Sequence, residues 1–361
     1  MADLPSTAKE YRLPTFESID SLTLGDAPVP QPGHGEVLLR LHAGPPVPST
    51  YTSFTNPPVV SLNYRDLKIA LNEYPLPLGK NIVPVSDAAG EIVATGDGCK
   101  RFTVGDRVMP NFTRDHITGG PTSAALLTAH GGAVDGFLRQ YAVVPEYCLV
   151  RMPEGWSYEE GASLPCAAVT AYNALMGLIP MKGGDTVLIQ GTGGVSIFGL
   201  QIAVASGARV IITSSSDAKL ELAKKLGAHH LINYRTHPDW EQEVLALTNG
   251  EGVDHIVEVG GQGTLAKSFA CIKFQGVISS IGFVASEGNP GNVAMLALGR
   301  GVIFRGILIG SREQFEAMCK LFEVTGVRPV VDKVFGFEEA KEAYRYLESQ
   351  KHVGKVVIKI D

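Results

Sequence analysis

The stretch from Asp185 to Gly199 reads Asp-Thr-Val-Leu-Ile-Gln-Gly-Thr-Gly-Gly-Val-Ser-Ile-Phe-Gly, and it limits the possible folds more than any other part of the chain. Residues 186–190 form an apolar strand, 191–194 a tight turn, and 195–206 a helical run closed by Gly207. A strand that passes through glycines into a helix lets a pyrophosphate sit against backbone N–H groups at the positive end of the helix dipole. In a dinucleotide site the adenosine ribose is read at the end of the next strand, about 20 residues on. That strand spans 209–213 and ends in Ser214-Ser215-Ser216, with no Asp or Glu to bind a free 2′-hydroxyl. The pattern predicts a nicotinamide dinucleotide, and the serines favour its 2′-phosphorylated form. The third small position of the glycine motif is Ser196, a departure from Gly-x-Gly-x-x-Gly.

The context strengthens the motif. Beyond Ser214 the sequence predicts a helix over 217–226, a strand at 230–234, a helix at 238–248, and strands at 253–259, 276–283 and 302–309. Alternating strands and helices of this length indicate a doubly wound parallel sheet, an α/β arrangement.

Residues 1–165 have a different texture, with Gly- and Pro-rich turns and short alternating strands at 36–42, 89–95 and 107–109. That predicts a compact antiparallel, barrel-like β domain. The second domain is expected over 166–310. Residues 311–361, with helices at 313–324 and 338–349 and a strand at 355–360, are expected to return to the first domain.

Composition excludes several classes. The 361 residues carry a net charge of −6 with no basic stripe, so nucleic acid is not an expected partner. No apolar run approaches the ~20 residues that span a bilayer, and the N-terminus does not read as a secretory signal. Five scattered cysteines suit reduced thiols in the cytoplasm better than a disulfide framework.

Several further stretches, taken in order, resemble the medium-chain dehydrogenase/reductase superfamily. They are Ser61-Leu62-Asn63-Tyr64-Arg65-Asp66, Glu73-Tyr74-Pro75, Asp87-Ala88-Ala89-Gly90 and Val104-Gly105-Asp106-Arg107-Val108. Ala167-Ala168-Val169-Thr170-Ala171-Tyr172, the glycine turn, Ile232-Asn233-Tyr234 and Gly354-Lys355-Val356-Val357 follow. The resemblance implies a GroES-like substrate domain and a Rossmann cofactor domain, with the active site in the cleft between them.

Zinc-dependent members of that superfamily bind a catalytic zinc through a Cys, a His-Glu pair and a second Cys. Here those positions hold Asn63, Ser86-Asp87 and Cys166, and residues 111–140, where a structural zinc lobe would lie, contain no cysteine. One thiolate cannot make a site that needs three protein ligands, so no metal is expected. Arg65 and Lys68 stand where zinc alcohol dehydrogenases relay the alcohol proton. The resemblance is therefore to the zinc-free branch of quinone oxidoreductases and enone reductases.

Without a Lewis acid, hydride transfer suits an acceptor that delocalises charge, an enone or a quinone, with a donor for its oxygen. By resemblance Tyr74 and Tyr64 are the candidate donors or stacking rings. Asn63 is a candidate ribose or substrate contact, and Asp87 is either a proton relay or a structural carboxylate. For the cofactor the resemblance implies Thr170 beside the nicotinamide and Gly191, Gly193, Gly194 and Val195 at the pyrophosphate. Ser214, Lys219 and Tyr234 are implied around the 2′-phosphate. Gly260, Gly282, Phe283, Leu308 and Ile309 would wall the nicotinamide pocket, with Lys355 reaching it. NADPH is the expected cofactor, NADH the alternative.

Residues 44–59 are extra relative to the family pattern, with five prolines and no charge, and predict an irregular excursion. It is either a gating loop or an artefact of gene structure. Three readings stay open: an enone or quinone reductase acting on a small carbonyl substrate, an alcohol dehydrogenase acting without zinc, and a cofactor-binding protein without redox turnover. The last covers a crystallin-like role, RNA binding or a non-redox cyclase. A homodimer is expected by resemblance, through the strand near 302–309.

Overall fold

The structure is a computed structural model that describes residues 4–41, 59–282 and 288–360. The chain divides into two compact units, one of Met1–Val169, Gly310–Val324 and Arg328–Asp361, the other of Thr170–Ile309 and Thr325–Val327. Residues 44–58 of the proline-rich segment, and Phe283, lie outside the described residues.

The first unit is built from β1 (Thr7–Arg12), β2 (Thr23–Pro28), β3 (Glu36–Arg40), β4 (Val59–Leu62), β5 (Asp87–Thr95), β6 (Arg107–Pro110), β7 (Tyr141–Pro145) and β8 (Leu149–Arg151). Helices α1 (Tyr64–Ala70) and α2 (Ser123–Leu126) interrupt them, α3 (Tyr158–Ala162) follows, and α4 (Val169–Met176) leads into the second unit. Neighbours β3–β5, β3–β7, β4–β5, β5–β6 and β6–β8 all pair antiparallel. The core lies under this sheet, where Val37, Leu39, Leu41, Val60, Leu62, Ile92, Val108 and Phe137 are fully or almost fully buried. Removing such side chains from water is the main favourable contribution to a fold of this kind.

The second unit carries six parallel strands: β9 (Thr186–Gln190), β10 (Arg209–Ser214), β11 (His230–Asn233), β12 (Val253–Glu258), β13 (Ile272–Ser280) and β14 (Ile303–Gly306). Their order is β11-β10-β9-β12-β13-β14, the doubly wound Rossmann order. Val187, Leu188 and Ile189 of the central strand are fully buried, as a strand covered on both faces requires. Helices α5 (Gly194–Ala205), α6 (Asp217–Lys225), α7 (Trp240–Leu247), α8 (Leu265–Cys271) and α9 (Val293–Arg300) supply the crossovers. Eight of the twelve residues of α5 are buried, so this helix is apolar nearly all round.

Two boundaries differ from expectation. Strand β13 starts at Ile272 and stops at Ser280, and α8, which the sequence reading does not anticipate, precedes it. Strand β14 ends at Gly306, short of residue 309, and Ile309 has a φ of 56°, which no extended strand can include.

The last segment holds α10 (Arg312–Thr325), β15 (Val331–Gly336), α11 (Ala340–Glu348) and β16 (Lys355–Lys359). Strand β16 pairs antiparallel with β4, setting Val356 opposite Leu62 and Val357 opposite Ser61. That register brings Lys355 beside Asn63. No helix among the described residues is long and apolar enough to cross a membrane.

Candidate active site

In the first unit the substrate-side residues form one buried polar cluster. Asn63 precedes α1, and its backbone N–H donates to Asp66 Oδ2 at 2.8 Å, so the carboxylate stops the chain and starts the helix. Ser86 and Asp87 follow Val85, which sits in the left-handed region at φ 73°. A β-branched residue there is strained, at a cost of about 1–3 kcal/mol, and must be held by its surroundings. Phe137 N–H donates to Val85 O at 2.8 Å, and a Cβ on Gly131 would lie 2.6 Å from the Val85 carbonyl carbon. Only glycine fits that approach.

Three strands and one irregular turn converge on the cluster. Lys355 Nζ donates to Leu62 O at 2.8 Å and to Asn63 Oδ1 at 2.5 Å, and lies 3.7 Å from Asp87 Oδ2. Ser86 Oγ donates to Asp87 Oδ1 at 2.7 Å, and Asn63 Nδ2 reaches Ser86 Oγ at 3.5 Å. Residues Leu164–Ala168 form a π-helical turn ahead of α4, and the Cys166 N–H in it donates to Asp87 Oδ2 at 3.1 Å. Burial pushes the Asp87 carboxyl up, against the pull of Lys355, Asn63 and Ser86. Burial, then Asp87, holds the Cys166 thiol far above its ordinary range, so it stays a thiol.

The tyrosines stand beside this cluster. Arg65 Nη1 donates to Asp66 Oδ1, His130 O and Gly131 O, while its guanidinium carbon lies 5.2 Å from the Tyr74 ring centroid and 4.9 Å from that of Phe112. Tyr74 and Tyr64 are both half-buried, and the Lys68 ammonium stands 5.3 Å from the Tyr64 ring. Asp66 is fully enclosed, and burial raises its carboxyl to about 6 even with Arg65 beside it. The sequence reading sets Lys355 with the cofactor residues. The structure places its ammonium with Asn63 and Asp87, because β16 lies against β4 in the first unit.

In the second unit the glycine turn lies between β9 and α5. Gly191 has a φ of 73°, and a Cβ on Gly193, the residue before α5, would meet nothing within 4 Å. Gly193 has no side chain to cap this twelve-residue helix, so the N–H groups at Gly194 and Val195 stand at its positive end without a cap from that residue. Ser196 Oγ donates to Gln190 O at 2.6 Å, which accounts for serine in the third small position. Ser214 is buried at the end of β10, 3.5 Å from Thr192 Oγ1, with Lys219 half-buried on α6 and Tyr234 exposed after β11. Thr170 Oγ1 is buried without a hydrogen-bond partner among the described residues. An open cradle and an orphaned hydroxyl fit a dinucleotide; when bound it would supply a transferable hydride.

Gly260, Gly282, Leu308 and Ile309 follow the carboxyl ends of β12, β13 and β14. A Cβ on Gly260 would strike Thr264, and one on Gly282 would come within 2.2 Å of Val259 O. Ile309 O accepts from Asn173 Nδ2 at 2.6 Å, which secures its left-handed conformation, and Leu308 is exposed. A group not anticipated joins them: Gln190, Glu258, Thr264 and Ser268 form a buried hydrogen-bonded network. A polar residue closing each of the strands 186–190 and 253–258 was the available sign.

Comparison with known proteins agrees with this geometry. Residues 58–154 match the family profile described as alcohol dehydrogenase GroES-like domain, and 194–324 match zinc-binding dehydrogenase. A zinc-type alcohol dehydrogenase-like protein of Schizosaccharomyces pombe is 48% identical over 96% of this chain and 97% of its own. The chain belongs to the medium-chain dehydrogenase/reductase superfamily. Among solved members of the superfamily, a NAD-dependent alcohol dehydrogenase aligns with a TM-score of 0.84 and 29% identity, covering 98% of this chain and 100% of that one. The quinone oxidoreductase of Pseudomonas syringae pv. Tomato DC3000 aligns at 0.79 with 25% identity, covering 98% and 99%. This member is thus an oxidoreductase of the alcohol dehydrogenase-like or quinone oxidoreductase-like kind.

The superfamily's zinc ligands do not fit these residues. Among the described residues no group of three or more His, Cys, Asp or Glu is placed to hold a metal ion. At the ligand positions Asn63 and Ser86 offer an amide and a hydroxyl, Cys166 is the one thiol, and the Lys355 ammonium lies against both Asn63 and Asp87. A divalent ion would meet that charge at close range.

Proposed function

We propose that the protein is an NADPH-dependent reductase that delivers hydride to an enone or quinone without zinc. The observation that carries the reading is the Lys355–Asn63 contact at the position where a zinc ligand would stand. An acceptor that spreads its developing charge over a conjugated system needs a hydrogen-bond donor at its oxygen rather than a Lewis acid. Asn63 Nδ2, the Tyr74 hydroxyl and the Tyr64 hydroxyl are the donors we assign to that task. The cofactor half of the reading rests on the open glycine turn, the Thr170 hydroxyl and Ser214 in place of an acidic ribose reader.

The likeness to the zinc-type alcohol dehydrogenase-like protein of fission yeast favours a second reading, reduction of aldehydes or oxidation of alcohols. We also propose a homodimer: β14 is the edge of the parallel sheet, with Phe304 on it and exposed Met295 and Leu298 on α9 just before it. NADPH oxidation measured with enones, quinones and aldehydes separates the readings. Turnover with the first two supports the proposal, turnover with aldehydes alone supports the second reading, and tight NADPH binding with no turnover supports a non-redox role.

A further inference from the structure

Strands β9 and β12 are neighbours in the middle of the parallel sheet, yet their connections leave in opposite directions, towards β10 and towards β13. The crevice outside their carboxyl ends is the topological switch point, where such sheets bind dinucleotides. The last residue of β9 is Gln190 and the last of β12 is Glu258. Both are buried, and Gln190 Nε2 donates to Glu258 Oε2 across the gap at 2.7 Å.

Their remaining bonds go to the loop that leaves β12. Glu258 Oε1 accepts from Gly260 N–H at 3.0 Å, Gly261 N–H at 3.0 Å and Thr264 Oγ1 at 2.5 Å. Its Oε2 also accepts from Ser268 Oγ, which in turn accepts from Gln190 Nε2 at 2.8 Å. Gln190 Oε1 accepts from Val259 N–H and Gly260 N–H, each at 3.3 Å. The backbone amides of three successive loop residues are therefore held from below by two side chains. The tight approaches at Gly260 and Gly282 leave the loop little room to take another shape. Gln190 also reaches the pyrophosphate turn, because its main-chain oxygen accepts from Ser196.

We propose that Gln190 and Glu258 are positioning residues that shape the 259–261 loop to receive the nicotinamide half of the dinucleotide. The inference rests on the cofactor reading given above. Ser214 marks the adenosine side at the end of β10, and the glycine turn takes the pyrophosphate. The nicotinamide half then extends over the end of β12, on the opposite side of the switch point. Glu258 thus governs one half of the ligand and leaves the other alone.

The geometry supplies its own control. Glu258→Gln turns an amide nitrogen towards Gln190 Nε2 or towards the loop amides, so donors face donors. The exchange Gln190→Glu with Glu258→Gln restores every bond. In it the carboxylate now at position 190 accepts where the Gln190 amide donated, and the amide now at position 258 donates where Glu258 accepted. Wild type, Glu258→Gln and the exchange variant are titrated with NADPH and with 2′,5′-ADP, which carries only the adenosine half. Glu258→Gln is expected to weaken NADPH binding ~10- to 100-fold and to move 2′,5′-ADP by less than ~3-fold, with the exchange variant returning to within ~3-fold of wild type for both. Equal losses for both ligands, or no loss for NADPH, overturn the proposal. If Glu258→Gln does not fold, the exchange variant decides, and its failure to fold or to bind NADPH overturns it. Wild type that binds neither ligand overturns the cofactor reading instead.

Discussion

The ammonium of Lys355 lies 2.5 Å from the side-chain oxygen of Asn63, although the two residues are 292 positions apart in the chain. A lysine only donates, so the contact fixes the amide with its oxygen towards Lys355 and its nitrogen towards Ser86 Oγ, 3.5 Å away. The same ammonium is the neighbouring positive charge for buried Asp87.

Removing that charge leaves an uncompensated carboxylate in the core. Lys355→Met is expected to cost about 3–5 kcal/mol of stability, and Asp87→Asn added to it to recover a substantial part. Denaturant unfolding of the wild type, both single variants and the double variant measures the coupling. Losses that add to within ~0.5 kcal/mol mean that the two residues do not act as a pair.

Asp66 makes a pH-dependent contribution of definite sign. Its folded pKa, about 6, lies above the ordinary carboxyl value, so between pH 4 and 6 the folded chain keeps a proton that the unfolded chain releases. Asp66 therefore lowers stability as pH rises through that window, by on the order of 3 kcal/mol in all. His130, pushed down to about 4 by burial, works in the opposite direction and is common to both proteins compared. The stability of wild type minus that of Asp66→Asn should fall from pH 4 to pH 7. A difference that stays flat or rises contradicts the assignment.

We assign Ser214 as the ribose reader. NADPH should bind at least ~10-fold more tightly than NADH, as charge-assisted contacts to a 2′-phosphate allow. Ser214→Asp should reverse the preference by repelling the phosphate and accepting from the free hydroxyl. Fluorescence titration of both cofactors decides, and an unchanged ratio in the variant removes Ser214 from the site.

Tyr74→Phe keeps the ring against Arg65 and deletes only the hydroxyl. If that hydroxyl donates to the developing oxyanion, kcat and kcat/KM fall together by ~10- to 100-fold while NADPH affinity holds. A silent Tyr74→Phe beside an impaired Tyr64→Phe transfers the role to Tyr64.

The cofactor unit is readable because its signals are local. Strand, turn and helix follow one another over 186–206, and the apolar runs of β9, β10 and β11 stand out from their flanks. The substrate unit depends on pairings between distant segments. Nothing near Asn63 announces that β16 will lie against β4, so the sequence alone does not put Lys355 with Asn63 and Asp87. Glu258 escapes notice for a related reason, since its value comes from Gln190 on a strand that is adjacent only in space. Val85 gives no sign in sequence of its left-handed backbone, which is imposed by the packing of Gly131 and Phe137.

Our proposal of hydride transfer without a metal puts the Lys355–Asn63 cluster where zinc ligands would be. The most direct measurement is NADPH oxidation by an enone or quinone before and after exhaustive treatment of the protein with a strong chelator. The same rate is expected in both, with zinc content far below one per chain. Activity that disappears on chelation and returns with added zinc contradicts it.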